Sequence, residues 1–281
     1  MPMYKGFQLN INSRRVNMIV DNYCKINDVS LHYSVYGSGK SIILIHGNFM
    51  DSRIWEYQIK DLSNKNQVVS YDLRGYGKSD IPSSSFSHVD DLKSLMEYLD
   101  IDEATLIGSS LGGSIAIDFA LKYPTLVQKL ILIAPALTGY KYPFRLNIEA
   151  MQNLLAKKTK GTQAAIDKFI NNPYWEYMFP APENKAAREL VIEVVKNERN
   201  FYSWNPSLYK AADVKAMHRL GDIEIPSLVV LSDRDKEFNI KAGSYIHKNI
   251  KNSKKYVMSN CGHLPFVEKP QEFNQIVMDY L

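Results

Sequence analysis

Six short runs of residues along this chain are rich in apolar side chains, and stretches with helical spacing lie between them. The runs cover residues 41–47, 67–72, 104–108, 129–134, 227–233 and 254–259. Near-continuous apolar runs are typical of strands covered on both faces. The stretches with an apolar stripe at helical spacing are 54–62, 88–99, 111–123, 240–250 and 270–281. This alternation predicts a mostly parallel sheet with right-handed crossovers and helices on both faces.

Residues 25–37 differ from those runs because apolar and polar side chains alternate there. The alternation breaks near Asn27 and Asp28. This pattern predicts two short antiparallel strands. Together with the six buried runs, it predicts a sheet of about eight strands.

One long segment interrupts the alternation of strand and helix. From residue 138 to 220 no buried strand is indicated, and four consecutive helices are predicted at 144–158, 162–172, 183–198 and 207–220. We therefore expect a core formed by residues 1–137 and 221–281. Residues 138–220 are expected to form an inserted helical lid.

Composition and charge exclude several classes of protein. The 281 residues are 45% hydrophobic, and 34 basic and 30 acidic residues are mixed along the chain, so no nucleic-acid partner is indicated. The two cysteines, Cys24 and Cys261, are far apart and lack the spacing of a zinc or disulfide framework. No run is apolar enough for a membrane span or a signal peptide. A cytoplasmic protein with no membrane partner and no metal is expected; its oligomeric state is not indicated.

The stretch "ATLIGSSLGG", from residue 104, reads as a strand, a tight turn and the start of a helix. A serine on such a turn can act as a nucleophile if a base lies within hydrogen-bond reach. The sharp turn requires small residues two positions before and two after the serine. Gly108 and Gly112 meet this requirement for Ser110, whereas bulky aliphatic residues flank Ser109. Ser110 is therefore the candidate nucleophile.

With that turn and four further motifs, the sequence resembles the α/β-hydrolase family over most of its length. The motifs are "HGN" (46–48), "DLRGYGKSD" (72–80), "GSSLGG" (108–113), "LSDRD" (231–235) and "NCGHLPFVEKP" (260–270). They occur in the family's order, each after a predicted strand. The resemblance implies an α/β-hydrolase fold, an enzyme without cofactor or metal, and a small-molecule substrate.

The resemblance also implies a catalytic triad of Ser110, Asp235 and His263, in the chain order expected for this fold. His263 would take the proton from Ser110, and Asp235 would hold the imidazole in the required tautomer. The acid loop departs from the family pattern because Ser232 stands where glycine is usual. Asp233 is therefore a rival for the role of the acid.

The implied oxyanion hole consists of two backbone N–H groups. One belongs to Leu111, directly after the candidate nucleophile. The other belongs to the loop after "HG", where Asn48 is the first choice and Phe49 the alternative.

We expect a serine hydrolase that cleaves a small, largely apolar carboxylic ester, thioester or lactone through an acyl-enzyme. The many aromatic residues of segment 138–220 favour an apolar acyl or aryl substrate. Three alternatives stay open: a carbon–carbon bond hydrolase, a cofactor-free perhydrolase, and a ligand receptor with little turnover. The family's meta-cleavage carbon–carbon hydrolases typically have tryptophan after the catalytic histidine, whereas this chain has Leu264. His88 is expected to be an ordinary surface or core residue.

Overall fold

A single sheet of eight strands organises the chain in a computed structural model, which describes residues 18–26, 29–212 and 214–281. The strand order is β1-β2-β4-β3-β5-β6-β7-β8. The strands are β1 (Met18–Ile26), β2 (Val29–Tyr36), β3 (Lys40–Ile45), β4 (Asn66–Tyr71), β5 (Ala104–Ser109), β6 (Val127–Ile133), β7 (Ser227–Ser232) and β8 (Ser253–Met258). β2 pairs with β1 and β4 antiparallel, and all other pairings are parallel. This confirms the predicted fold; the break expected at residues 27–28 lies outside the described residues.

Helices cover both faces of this sheet. They are α1 (Glu56–Leu62), α2 (His88–Tyr98), α3 (Leu111–Lys122), α4 (Phe144–Lys160), α5 (Thr162–Asn171), α6 (Lys185–Val195), α7 (Glu237–Asn249), α8 (Pro265–Glu268) and α9 (Pro270–Tyr280). Alternate residues of β3 belong to different core clusters: Ile43 packs in the cluster that holds α2, α3 and α7, and Ile42 in the one that holds α1 and α9. A strand with both faces buried needs the near-continuous apolar sequence seen here. No helix of the described residues combines the length and apolar character needed to cross a bilayer.

Helices α4, α5 and α6 lie in the segment between β6 and β7, where three of the predicted helices form. Side chains of α5 and α6, such as Phe169 and Val191, share a core cluster with Phe49 of the loop after β3. The segment therefore packs on the loops at the carboxyl edge of the sheet.

The fourth helix predicted in this segment, over 207–220, is wrong. Among the described residues of this range, the structure has short 3₁₀ turns, at Pro206–Leu208 and Ala216–His218, and another begins at Leu220. The backbone instead pairs with Phe86, whose N–H donates to Leu208 O (2.9 Å) and whose carbonyl accepts from Lys210 N–H (2.7 Å). Hydrogen bonds to a distant segment take the place of hydrogen bonds within a helix. The periodicity of a short segment cannot predict such long-range bonds.

Candidate active site

The candidate site residues lie in loops that follow four parallel strands. Asn48 follows β3, Ser110 follows β5, Asp235 follows β7 and His263 follows β8. Because the carboxyl ends of parallel strands meet at one edge of a sheet, these loops gather on the same side of the molecule.

Ser110 occupies a strained backbone conformation between β5 and α3. Its φ of 52° and ψ of −112° lie in a region that residues other than glycine rarely adopt. Such a conformation costs roughly 1–3 kcal/mol and persists only where its surroundings enforce it. Here the Ser110 N–H donates to Ile133 O and the Ser110 carbonyl accepts from Ala136 N–H, both at 2.9 Å. The end of β6 therefore holds the turn in place.

The glycines beside Ser110 are required by backbone contacts. A Cβ on Gly112 would lie 2.1 Å from the carbonyl oxygen of Ile45, and one on Gly108 would lie 2.3 Å from the carbonyl oxygen of Gly112. These oxygens belong to the backbone of α3 and of β3, and a backbone atom cannot move aside as the end of a flexible side chain can. The small flanks inferred from the sequence thus correspond to real close approaches.

We expect Gly112→Ala to destabilise the protein by on the order of 3 kcal/mol, because the added methyl group would force β3 and α3 apart. Gly221→Ala is the matched control, since a Cβ there meets nothing within 4 Å. Urea unfolding of both variants measures the effect. Equal stability of the two variants would contradict the steric argument.

Asp235 and His263 form a buried hydrogen-bonded pair. The Nδ1 of His263 lies 2.8 Å from Asp235 Oδ2, and both side chains are almost fully buried. The other oxygen, Oδ1, accepts from the N–H of Lys236 at 2.6 Å. Asp233 is exposed and accepts from the N–H of Asn260 at 2.7 Å. The structure thus brings Asp235, and not Asp233, to the histidine.

Asn239 is a neighbour of this pair that the sequence reasoning missed. Its amide Nδ2 donates to Asp235 Oδ1 at 2.8 Å and lies 3.2 Å from His263 Nδ1. Hydrogen bonds to both oxygens of a carboxylate fix its orientation. The signal available in the sequence was the spacing of four from Asp235, which places Asn239 in the first turn of α7.

The loop after β3 is built around the side chain of Asn48. Its Oδ1 accepts from the N–H of Phe49 at 3.0 Å and from the hydroxyl of Tyr76 at 2.7 Å. Phe49 adopts a positive φ of 63°. The backbone N–H of Phe49 already donates to the Asn48 side chain. The backbone N–H of Asn48 is therefore the better candidate of the two to donate to a substrate oxygen. Leu111 is the first residue of α3, where backbone N–H groups have no partner within the helix.

The side chain of His46 stabilises this loop through two hydrogen bonds to the backbone. Its Nδ1 lies 2.8 Å from Gly47 O, and its Nε2 accepts from the N–H of Leu73 at 3.0 Å. Complete burial lowers the pKa of His46, so the imidazole is neutral. It is a structural residue of the turn.

Burial raises the pKa of the Cys261 thiol to about 11, so this thiol stays protonated and unreactive near neutral pH.

A cavity of about 230 Å³ opens beside Asn48, Phe49 and Leu111. Its remaining wall is mostly aromatic and is formed by Tyr76, His88, Tyr202, Trp204, Pro206 and Tyr209. No lysine or arginine belongs to this wall in the described part of the chain. The cavity therefore suits an uncharged, flat or apolar group beside Asn48 and Leu111.

Two further observations complete the geometry. Across residues 18–26, 29–212 and 214–281, no hydrogen bond joins the Ser110 hydroxyl to the His263 imidazole. Within the same ranges, no group of three or more His, Cys, Asp or Glu side chains is arranged to hold a metal ion.

Comparison with known proteins identifies the family. The family model described as "alpha/beta hydrolase fold" matches residues 40–270 of this sequence. The chain therefore belongs to the alpha/beta hydrolase family. The chain is a hydrolase of this fold.

Among its relatives, the AB hydrolase superfamily protein YisY of Bacillus subtilis is 28% identical, over 92% of this chain and 98% of its own. The 2-hydroxy-6-oxononadienedioate/2-hydroxy-6-oxononatrienedioate hydrolase 1 of Pseudomonas putida is 29% identical, over 90% and 92%. The enol-lactonase from Burkholderia xenovorans has a similar solved structure, with a TM-score of 0.77 and 22% identity over 92% of this chain and 99% of that one. At that identity the structural likeness concerns the fold alone.

Proposed function

We propose that this protein is a serine hydrolase that cleaves small, largely apolar carboxylic esters or lactones through an acyl-enzyme, with residues 138–220 acting as a lid. The observation that carries the proposal is the buried Asp235–His263 pair at 2.8 Å, on the same sheet edge as a serine in a strained turn. Triads are recognised by this geometry rather than by sequence position.

The proposed reaction begins when His263 removes the proton of the Ser110 hydroxyl and the oxygen attacks the substrate carbonyl. The N–H groups of Leu111 and Asn48 would stabilise the oxyanion that develops. His263 then gives the proton to the leaving alcohol as the acyl–oxygen bond breaks. Water, activated by the same imidazole, hydrolyses the acyl-enzyme and restores the serine. Hydrogen bonds between nucleophile and base often tighten only when substrate binds.

Asp235 would act through His263. Its carboxylate would accept a hydrogen bond from the Nδ1–H group, which leaves Nε2 free to serve as the base. The bonds from Lys236 N–H and Asn239 hold the carboxylate in its orientation toward the histidine. In this role Asn239 is a positioning residue.

A carbon–carbon bond hydrolase is the second candidate, because the Pseudomonas putida relative is named as a hydrolase of 2-hydroxy-6-oxononadienedioate, a compound without an ester bond. The name of its substrate, a dienedioate, implies two carboxylates. Among the described residues, the wall of the cavity beside Asn48 and Leu111 has no lysine or arginine to pair with such charges. An uncharged ester therefore fits the cavity better.

A fluorophosphonate probe and p-nitrophenyl esters test the proposed function. We expect covalent labelling of Ser110, located by mass spectrometry of the digested protein, and a burst of p-nitrophenol equal to the number of active sites. Heat-denatured protein is the control for nonspecific labelling. Absence of both labelling and ester turnover in the native protein would reject the serine hydrolase. Faster cleavage of 2-hydroxy-6-oxononadienedioate than of every ester tested would favour the second candidate.

A further inference from the structure

Helix α4 carries a row of apolar side chains on its outer surface. The members of this row, called the α4 stripe below, are spaced four, three and four residues apart, so they lie on one face of the helix. They are Phe144 (76% exposed), Ile148 (38%), Met151 (68%) and Leu155 (60%). In the described part of the chain, no other helix has more than one exposed large hydrophobic residue. The α4 stripe is therefore a concentrated patch, which single surface hydrophobics are not.

The inner face of α4 is polar, which reverses the usual arrangement of a surface helix. The two buried residues of α4 are Glu149 and Asn153. Glu149 Oε2 accepts from the side-chain amide of Asn172 at 2.9 Å, and the ammonium group of Lys157 donates to the carbonyl oxygen of Tyr202 at 2.7 Å. Because these bonds fix the rotation of the helix about its axis, the α4 stripe faces away from the rest of the protein.

The area of the α4 stripe is close to what a small interface needs. At these exposed fractions, the four side chains present on the order of 500 Å² of apolar surface, as much as the largest apolar patch of a typical monomer. Two copies packed along the stripe would remove about 1,000 Å² from water in total, which is near the lower limit for a specific interface. The area thus suits a weak, reversible dimer.

The spacing of the α4 stripe favours a second helix as its partner. Alternation of three and four residues is typical of the seam between two packed helices, where the side chains of one fit between those of the other. The stripe is also narrow, because Asn147 and Gln152 are exposed on either side of it and Lys158 follows Leu155 in the same line. A helix that lies on a lipid surface needs a broader apolar face.

The pattern of the stripe favours a second copy of this chain, in antiparallel orientation. A row of apolar side chains is complementary to itself, as a two-fold interface requires. In a parallel pair, the two Lys158 side chains would face each other across the seam and repel. An antiparallel pair sets the Phe144 end of one helix against the Leu155 end of the other, and it keeps the two lysines at opposite ends.

We propose that two copies of this protein associate through the α4 stripe, with their α4 helices antiparallel. This inference goes beyond the proposed hydrolase function and does not depend on it. Helix α4 is bonded to Tyr202, a residue of the cavity wall. The second copy would therefore pack on the outside of the segment that borders the cavity.

Sedimentation velocity of the full-length protein across the micromolar range tests the association. We expect a reversible, concentration-dependent equilibrium between the 32.2 kDa monomer and its dimer. Met151→Glu should raise the dissociation constant by about tenfold or more, because a carboxylate in an apolar seam has no partner. Met278→Glu is the matched control: it makes the same change at an exposed methionine of α9 and should keep the wild-type constant. The Tm of each variant checks that it is folded.

Disulfide cross-linking tests the orientation of the two helices. The native cysteines, Cys24 and Cys261, are both buried and should not interfere. Upon oxidation with copper–phenanthroline, a mixture of Phe144→Cys and Leu155→Cys proteins should cross-link, whereas each of the two alone should not. Met278→Cys measures cross-linking by random collision. Efficient cross-linking of Leu155→Cys alone would show that the helices are parallel and that the proposed arrangement is wrong.

Other outcomes would overturn the association itself. A wild type that stays monomeric across the micromolar range contradicts it, and so does a dimer that Met151→Glu leaves as stable as Met278→Glu does. Binding of the monomer to phosphatidylglycerol vesicles, lost in Met151→Glu, would identify a lipid surface as the partner of the stripe instead. None of these measurements involves ester hydrolysis, so failure of this inference is distinct from failure of the proposed function.

Discussion

Replacing Ser110 with alanine is expected to lower ester turnover by about 10⁴–10⁶-fold, because the nucleophile is lost while binding groups and oxyanion donors stay in place. The backbone of Ser110 is held by bonds to Ile133 and Ala136, which do not involve its side chain. The fold should therefore survive the substitution. Turnover of p-nitrophenyl acetate and fluorophosphonate labelling measure the loss.

Ser109→Ala is the matched control for this variant. Ser109 is adjacent in sequence, but its hydroxyl is buried and has no partner among the described residues. Its removal should change turnover by less than a few fold. Labelling that persists in Ser110→Ala and disappears in Ser109→Ala would show that the wrong serine had been chosen.

Asp235→Asn is expected to lower kcat by about 10⁴-fold, because an amide no longer stabilises the required tautomer and the imidazolium that forms. The amide keeps nearly the same shape, so the change acts on charge and proton position. KM for a small ester should change far less than kcat, since Asp235 touches His263 rather than the substrate.

Asp233→Asn provides the comparison for the acid. Asp233 is exposed, and among the described residues its side chain accepts one hydrogen bond, from the backbone N–H of Asn260, which an asparagine oxygen can also accept. We expect turnover within a few fold of the wild type. If Asp233→Asn were the more damaged of the two variants, the acid would have been assigned to the wrong carboxylate.

Much of the fold could be predicted because buried strands and amphipathic helices have distinct periodicities. The runs at 41–47 and 227–233, for example, correspond to β3 and β7. The turn at Ser110 could also be predicted, because the glycines that it requires, Gly108 and Gly112, lie within two residues of it in the sequence. A sequence pattern can predict structural features that depend on residues close together in the sequence.

The remainder depends on contacts between distant segments. The helix predicted over 207–220 does not form because its backbone bonds to Phe86 instead. The environment of His88 arises where Phe86 meets Trp204 and Tyr209, more than a hundred residues further along the chain. A periodicity does not reveal which segments will meet, so the sequence predicted a surface or core position for His88 but not its aromatic neighbours.

The order of the strands also bears on how the protein acquires activity during synthesis. Ser110 follows the central strand β5, whereas His263 follows β8, which pairs only with β7 at one edge of the sheet. Because synthesis runs from the N-terminus, Ser110, the proposed nucleophile, is added to the chain before His263, the proposed base. A serine without its base is a poor nucleophile. Under the proposed mechanism, a nascent chain that has not yet added β8 is inert toward the esters of the cell, and docking of that edge strand activates it.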